Sequence, residues 1–346
     1  MIPASLPLAH LQAMTDEHGL FEHARGDVPR RALGYCTDDV ARALAVTARE
    51  DGRSDAAALT DRYLGFVESA VAEDGRVHNR MSEDGRWTDE PGTGDWWGRA
   101  LWGLGVAARW STRDRVRERA LTAFVRAARV RSAWLRATCF AALGAAEVAS
   151  HTGADDAARC LLRDAAAAFG RHRPVSVGWW WVEPRLRYAN AAIPAAFIAT
   201  GCALEEARLV DQGMGLLRFL VSVESVPDGH LSLTPVGGRG PGDARRAFDQ
   251  QPIEAAALAE AATRAFEATG DDRWPMLLRA TWNWFEGAND VRIALFDPKT
   301  GAGYDGLTPT GRNNNRGAES TLAALATLQC LQRVTVAVRS GAIDGD

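Results

Sequence analysis

Acids, amides, arginines and aromatic rings gather at five places in this chain. They are Tyr35 with Asp38 and Asp39; Asp95, Trp96, Trp97 and Arg99; Trp179, Trp180, Trp181 and Glu183 with Tyr188 and Asn190; Asp249, Gln250, Gln251 and Glu254; and Tyr304 and Asp305 with Asn313, Asn314, Asn315 and Glu319. Each stands just ahead of an Ala/Leu-rich helical run. Aromatic faces stack on the C–H faces of sugars, while amides, guanidiniums and carboxylates fix hydroxyls. Breaking a glycosidic bond needs one carboxyl held protonated and a second held ionised.

An apolar wall disfavours a carboxylate anion, which makes Trp-flanked Asp95 and Glu183 the candidate general acids. Glu254 and Glu319 come first as the base that activates water, with Asp39 and Asp305 as further bases or hydroxyl ligands and Asp38 and Asp249 as substrate contacts. Arg42 and Arg99 can hold neighbouring acids by bidentate pairing. His78, Asn79, Trp96, Trp97, Trp181, Tyr188, Asn190, Gln250, Gln251, Tyr304, Asn313 and Asn315 complete the expected sugar contacts. Acids carried on separate helices favour the wide spacing of an inverting enzyme. The plain alternative is that each acid only caps a helix, a role worth about 0.5 to 2 kcal/mol. It leaves the accompanying amides and tryptophans unexplained, since such a mixture is costly to bury without a ligand or mutual hydrogen bonds. Trp102, Trp110, Trp134, Trp274, Trp282 and Trp284 lie within helical patterns and read as core.

The elements that must position these groups are helical hairpins. Inner, apolar runs begin near Asp38, Gly98, Trp134, Asn190, Pro252 and Gly317. Runs with one charged face follow five of them, at 55–72, 112–130, 154–169, 208–223 and 273–286, and the segment 6–15 can partner the sixth. Six hairpins that share position but no consensus predict an all-α fold, an (α/α)6 barrel, with every inner helix N-terminus on one rim. One domain is expected over 1–336, with 337–346 a disordered tail. Strand signals at 76–79, 230–233 and 292–296 read as rim hairpins.

Composition bounds the function. A net charge of −4 from 40 basic and 44 acidic residues gives no footprint for nucleic acid or an anionic membrane. Five cysteines without a CxxC pair argue against a disulfide framework or structural zinc, and no metal or cofactor is expected. The N-terminus does not read as a signal peptide and no run of roughly 18 uninterrupted apolar residues is present, so a cytoplasmic location is expected.

The sequence resembles the six-hairpin glycosidase superfamily, and within it bacterial proteins encoded beside or fused to glycosyltransferases and mannoside-active phosphorylases. The resemblance rests on Gly34-Tyr-Cys-Thr-Asp-Asp-Val-Ala-Arg-Ala43, His78-Asn79, Gly98-Arg-Ala-Leu-Trp102, Phe248-Asp-Gln-Gln-Pro-Ile-Glu-Ala255, Tyr304-Asp-Gly-Leu307 and Asn315-Arg-Gly-Ala-Glu-Ser320. It implies an (α/α)6 toroid acting on an oligosaccharide or glycoside, with a glycosyltransferase as pathway partner. The expected activity is glycoside hydrolysis of a short, mannose-containing glycan. A non-catalytic glycan-binding partner, a sugar epimerase or isomerase, and a terpene cyclase are the alternatives.

Overall fold

The computed structural model describes residue 3, residues 5–152 and residues 156–340. Among them are twelve α-helices and six strands of two or three residues. The chain divides into two compact units that interleave along the sequence, residues 8–169 with 199–206, and residues 1–7, 170–198 and 207–346.

The first unit opens with α1 (Ala9–Ala13), the ribbon β1 (Ala24–Arg25) and β2 (Val28–Pro29), and β3 (Tyr35–Cys36). Then come α2 (Thr37–Ala48), α3 (Ser54–Ala70), β4 (Arg80–Met81), α4 (Asp95–Trp110), α5 (Asp114–Ala127), α6 (Leu135–Thr152) and α7 (Asp156–Phe169). Helices α2, α4 and α6 pack side by side, and α3, α5 and α7 each cover one of them. The sequence dictates this layering. α5 buries only the stripe Val116, Ala120, Ala123, Phe124 and Ala127, whereas α4 is buried on most sides from Trp97 to Ala108.

Glycines set how closely the inner helices approach. A Cβ on Gly98 would lie 2.2 Å from the Ala137 carbonyl oxygen, and one on Gly105 would lie 2.3 Å from that of Gly144. Seven residues along α4 match seven along α6, so the two helices run parallel and start at the same end. Asp95, three residues before Gly98, is therefore level with Trp134, three before Ala137.

The second unit holds α8 (Ala192–Leu204), whose last turns belong to the first unit, α9 (Ala207–Glu224), α10 (Pro252–Thr269) and α11 (Arg273–Phe285). The hairpin β5 (Gly306–Thr308) and β6 (Gly311–Asn313) and then α12 (Ala318–Ser340) complete it. α10 begins with Pro252 and ends at Gly270 in the left-handed region, the proline and glycine termini a helix favours. α12 packs against α10 and α11. It is long and apolar enough to cross a bilayer, and its apolar stretch is 61% buried, as suits an inner helix. Near the N-terminus, Gln332 donates to the Pro3 carbonyl.

The inner helices begin within three residues of the expected positions. Two expectations fail. The helix runs through 337–340, where a disordered tail was expected, and 341–346 lie outside the described residues. Strand pairing near 76–79 falls on Arg80–Met81 against Tyr35–Cys36, with single bridges at Val77.

Candidate functional site

Asp38 and Asp39 sit in the first turn of α2, where the helix dipole favours anions. Arg42 reaches back to both carboxylates, at 2.9 Å for Asp39 and in closer contact with Asp38. Arg99, one turn into α4, has its guanidinium 3.4 Å from Asp38 and 3.7 Å above the Phe140 ring on α6. Asp95 opens α4 and is partly buried. Burial first, and then the charge of Asp38, push its carboxyl above the ordinary range, against the pull of Arg99, Arg136 and Arg42. The parallel ends of α2, α4 and α6 thus hold arginine-paired acids beside an acid that resists ionisation.

The segment before α4 borders this cluster. Asn79 takes the Cys36 thiol as a donor at 3.3 Å, its carbonyl receives the Thr37 N–H, and its own N–H goes to Asp89. His78 stacks on Trp87 with ring centroids 5.2 Å apart, and its Nδ1 lies 2.8 Å from the Asp89 carbonyl oxygen. Both are half-buried loop braces. Trp96 donates its indole N–H to Val77. Trp97 corrects the expectation of a sugar wall. Its ring is 1% exposed and its N–H is bonded to Ala127, so it packs the core. Trp134 errs the other way, at 67% exposed where core packing was expected. It stands one residue before α6, on the rim instead of along the helix.

In the second unit Glu254 is 4% exposed and accepts from the Ala189 N–H at 2.5 Å and from the Asn190 N–H and side-chain amide at 3.1 and 3.0 Å. Burial and then the nearby Glu224 push it up to about 8, against these donors. The expected water-activating role does not fit. Glu254 clamps the turn into α8, where Ala189 has a φ of 45°, and the predicted sugar ligand Asn190 is fully buried as part of that clamp. Glu224 in turn receives the Thr234 N–H and hydroxyl.

Gln250 is also a correction. It is fully buried, accepts from the Leu233 N–H at 3.2 Å and the Trp284 indole at 3.3 Å, and donates to Asp290 at 2.7 Å and Ala247 at 3.0 Å. Asp290 also receives Ser232 at 2.6 Å and lies 2.9 Å from His230 Nε2, and these bonds hold its carboxyl low against the burial that raises it. Mutual hydrogen bonds account for this amide without a ligand. Its neighbour Asp249 is exposed and Gln251 is half-buried at the start of α10.

Asp305 accepts the Gly317 N–H at 2.7 Å and its N–H is bonded to Asn315, which ties β5 to the start of α12. The Tyr304 ring has the Arg312 guanidinium 3.5 Å and the Arg316 guanidinium 4.9 Å from its centroid, Arg316 donates to its hydroxyl at 3.2 Å, and Asn313 is exposed. Glu319 lies half-buried in the first turn of α12. Of the three consecutive tryptophans, Trp181 is fully buried beside Phe219, not a wall, and Trp179 is buried with its N–H on the Glu183 carbonyl. Trp180 is 60% exposed and Tyr188 39%. The Glu183 side chain is 18% exposed and 3.9 Å from Arg187.

Arg136, Glu224 and Asp290 are supporting residues that sequence reasoning missed, and none of them carries a sequence signal. Trp134 reads as core from its pattern, and Trp180 belongs to an aromatic cluster in which it is the one exposed ring of the three. For a metal, Glu22, Cys36 and Asp39 bring donor atoms within 4.8 Å of one another. Each is already engaged, by Arg80, Asn79 and Arg42 respectively. Burial and the surrounding acids push the thiol up, away from the thiolate a metal needs.

No protein-family model matches this chain, and no curated protein matches it in sequence. Solved structures do. A cellobiose 2-epimerase from Bacillus thermoamylovorans superposes with a TM-score of 0.69 at 9% identity, over 94% of this chain and 96% of that one. A GH76 alpha-mannanase from Bacteroides thetaiotaomicron gives 0.63 at 10% identity over 94% of each. An unsaturated glucuronyl hydrolase specific for heparin gives 0.61 at 10% identity over 94% of each. At these identities the likeness shows the fold alone, an all-α (α/α)6 arrangement of helices.

Proposed function

We propose that this protein is a carbohydrate-active enzyme, and specifically an inverting glycoside hydrolase that uses Asp95 as general acid on a short gluco- or manno-configured glycan. The observation that carries the reading is the contrast within the first unit. Asp95 is pushed towards its protonated form by burial and by Asp38, while Arg42 pins Asp38 and Asp39. Two carboxyls with opposed environments are what acid and base roles require. Because Glu254 is committed to its clamp, the base role passes to Asp38, the more open of the Arg42-paired acids. Asp38 and Asp95 sit on adjacent parallel helices, whose axes typically lie about 8–10 Å apart. An inverting mechanism requires their carboxyls to stand roughly 6.5–9.5 Å apart, with a water between them. The names of the mannanase and the glucuronyl hydrolase support a glycan substrate.

A second reading has its own support, because solved structures named as a sugar epimerase and a D-mannose isomerase each superpose at a TM-score of 0.67, above the 0.63 and 0.61 of the mannanase and the glucuronyl hydrolase. There Asp38 would move the proton beside the sugar carbonyl. Incubation with manno- and gluco-disaccharides and with free mannose and glucose, followed by proton NMR, separates the two. New reducing ends of inverted configuration support hydrolysis, and conversion at constant mass supports the epimerase. Binding without turnover supports a glycan-binding partner of a glycosyltransferase, and silence on every sugar refutes the carbohydrate reading.

A further inference from the structure

Trp134 is the largest exposed aromatic surface of the first unit. It precedes α6 directly, and its backbone is engaged. Its N–H is bonded to Ser132 Oγ at 3.1 Å and its carbonyl to the Thr138 N–H and hydroxyl. The indole is 67% exposed, on a backbone fixed at the first turn of an inner helix. The α4 and α6 register set by Gly98 against Ala137 and Gly105 against Gly144 puts Trp134 level with Asp95. Two residues on, Arg136 is buried and acts on the Asp95 carboxyl. An apolar face thus stands beside a group of charged side chains, the combination that recognises a ring with one C–H face and a rim of hydroxyls.

We propose that Trp134 is a substrate-binding residue whose indole face stacks on the pyranose ring of the glycosyl unit whose linkage oxygen meets Asp95. The inference rests on the carbohydrate reading and deepens it by naming the surface that orients the sugar. Stacking acts equally on bound substrate and on the transition state, so its loss raises KM and leaves kcat nearly unchanged.

The test compares wild type, Trp134→Ala and Trp134→Phe by calorimetric titration with cellobiose, cellotriose, mannobiose and mannotriose. Thermal melts and acrylamide quenching of tryptophan fluorescence run in parallel. Trp134→Ala is expected to weaken binding about 2- to 13-fold, the range of one aromatic contact, while Trp134→Phe recovers most of it. The melting temperature stays at the wild-type value. Sugar shields wild-type fluorescence from acrylamide, and the shielding shrinks in Trp134→Phe. Wild-type affinity in Trp134→Ala overturns the role of Trp134 and leaves the carbohydrate reading standing. A fall in melting temperature for both variants makes Trp134 a packing residue and overturns the proposal. A wild-type protein that binds none of the four sugars refutes the carbohydrate reading, and the proposal with it.

Discussion

Replacing Gln250 by alanine separates two explanations of a buried amide beside an acidic helix start. If the side chain serves a substrate, its loss costs affinity. If it serves the hydrogen-bond network, its loss costs stability. The structure gives the size of the second effect. Gln250→Ala removes the acceptor for two buried donors, the Leu233 N–H and the Trp284 indole N–H. It also removes the donor to Asp290 and Ala247. Each orphaned donor costs about 1–3 kcal/mol, and water entering the vacated space offsets part of that, so the expected loss is about 3–5 kcal/mol. For a chain of this size that lowers the melting temperature by about 4 to 7 °C. Gln250→Glu is the sharper variant, since it sets a carboxylate oxygen 2.7 Å from Asp290 and 3.0 Å from the Ala247 carbonyl. Glutamate fits there only when protonated, so this variant melts lower at pH 8 than at pH 5 relative to wild type. Scanning calorimetry at fixed scan rate measures both. A Gln250→Ala protein that melts within a degree of wild type yet loses glycan affinity would refute the network account and restore the amide as a ligand.

Asp95→Asn is expected to slow turnover by about 10² to 10⁴ with the substrate dissociation constant nearly unchanged. The wild-type rate falls on the alkaline side as Asp95 ionises, since its carboxyl is raised; wild-type turnover by the variant removes Asp95 from the mechanism. Gly105→Ala forces a Cβ to 2.3 Å from the Gly144 carbonyl oxygen, and overpacking of about 1–3 kcal/mol or more outweighs the helix propensity gained. Gly65→Ala, with nothing within 4 Å of its Cβ, stabilises by up to about 1 kcal/mol. Equal melts for these two glycine variants would contradict the close approach of α4 and α6. Glu254 is pushed up to about 8, so the folded state holds a proton that the unfolded chain has released above about pH 4.5. Its contribution is full below pH 4.5 and is lost as pH rises through 8, so a plot of melting temperature against pH should be flatter over that window for Glu254→Gln than for wild type. Parallel curves would show that Glu254 is ionised throughout.

The helices were legible because their signals are local. Periodicity, the apolar saturation of α4 and α10, and the single stripe of α5 survive any arrangement of neighbours. The site was legible only where residue type and position decide the outcome together. Asp38, Asp39, Arg42, Asp95 and Arg99 occupy first and second turns of parallel helices, so the helix itself brings them to one end. Gln250 and Glu254 failed because they bond to loop residues such as Leu233, Ala247, Ala189 and Asn190, which carry no periodicity, and Trp97 and Trp181 because their neighbours Ala127 and Phe219 are set by which helices pack together. Whether a buried amide meets a sugar or the N–H of Leu233 depends on tertiary closure of residues 225–250, which spacing does not encode. Trp134 shows the converse. Its pattern placed it within a helix, but helical side chains point back towards the N-terminus. A tryptophan at the very first turn therefore projects beyond the helix end, and the same period that buries Cys139 and Phe140 farther along α6 leaves Trp134 on the rim. A helical pattern buries a residue only where a neighbouring helix still runs beside it, and at residue 134 the matching position on α4 is Asp95, its first residue.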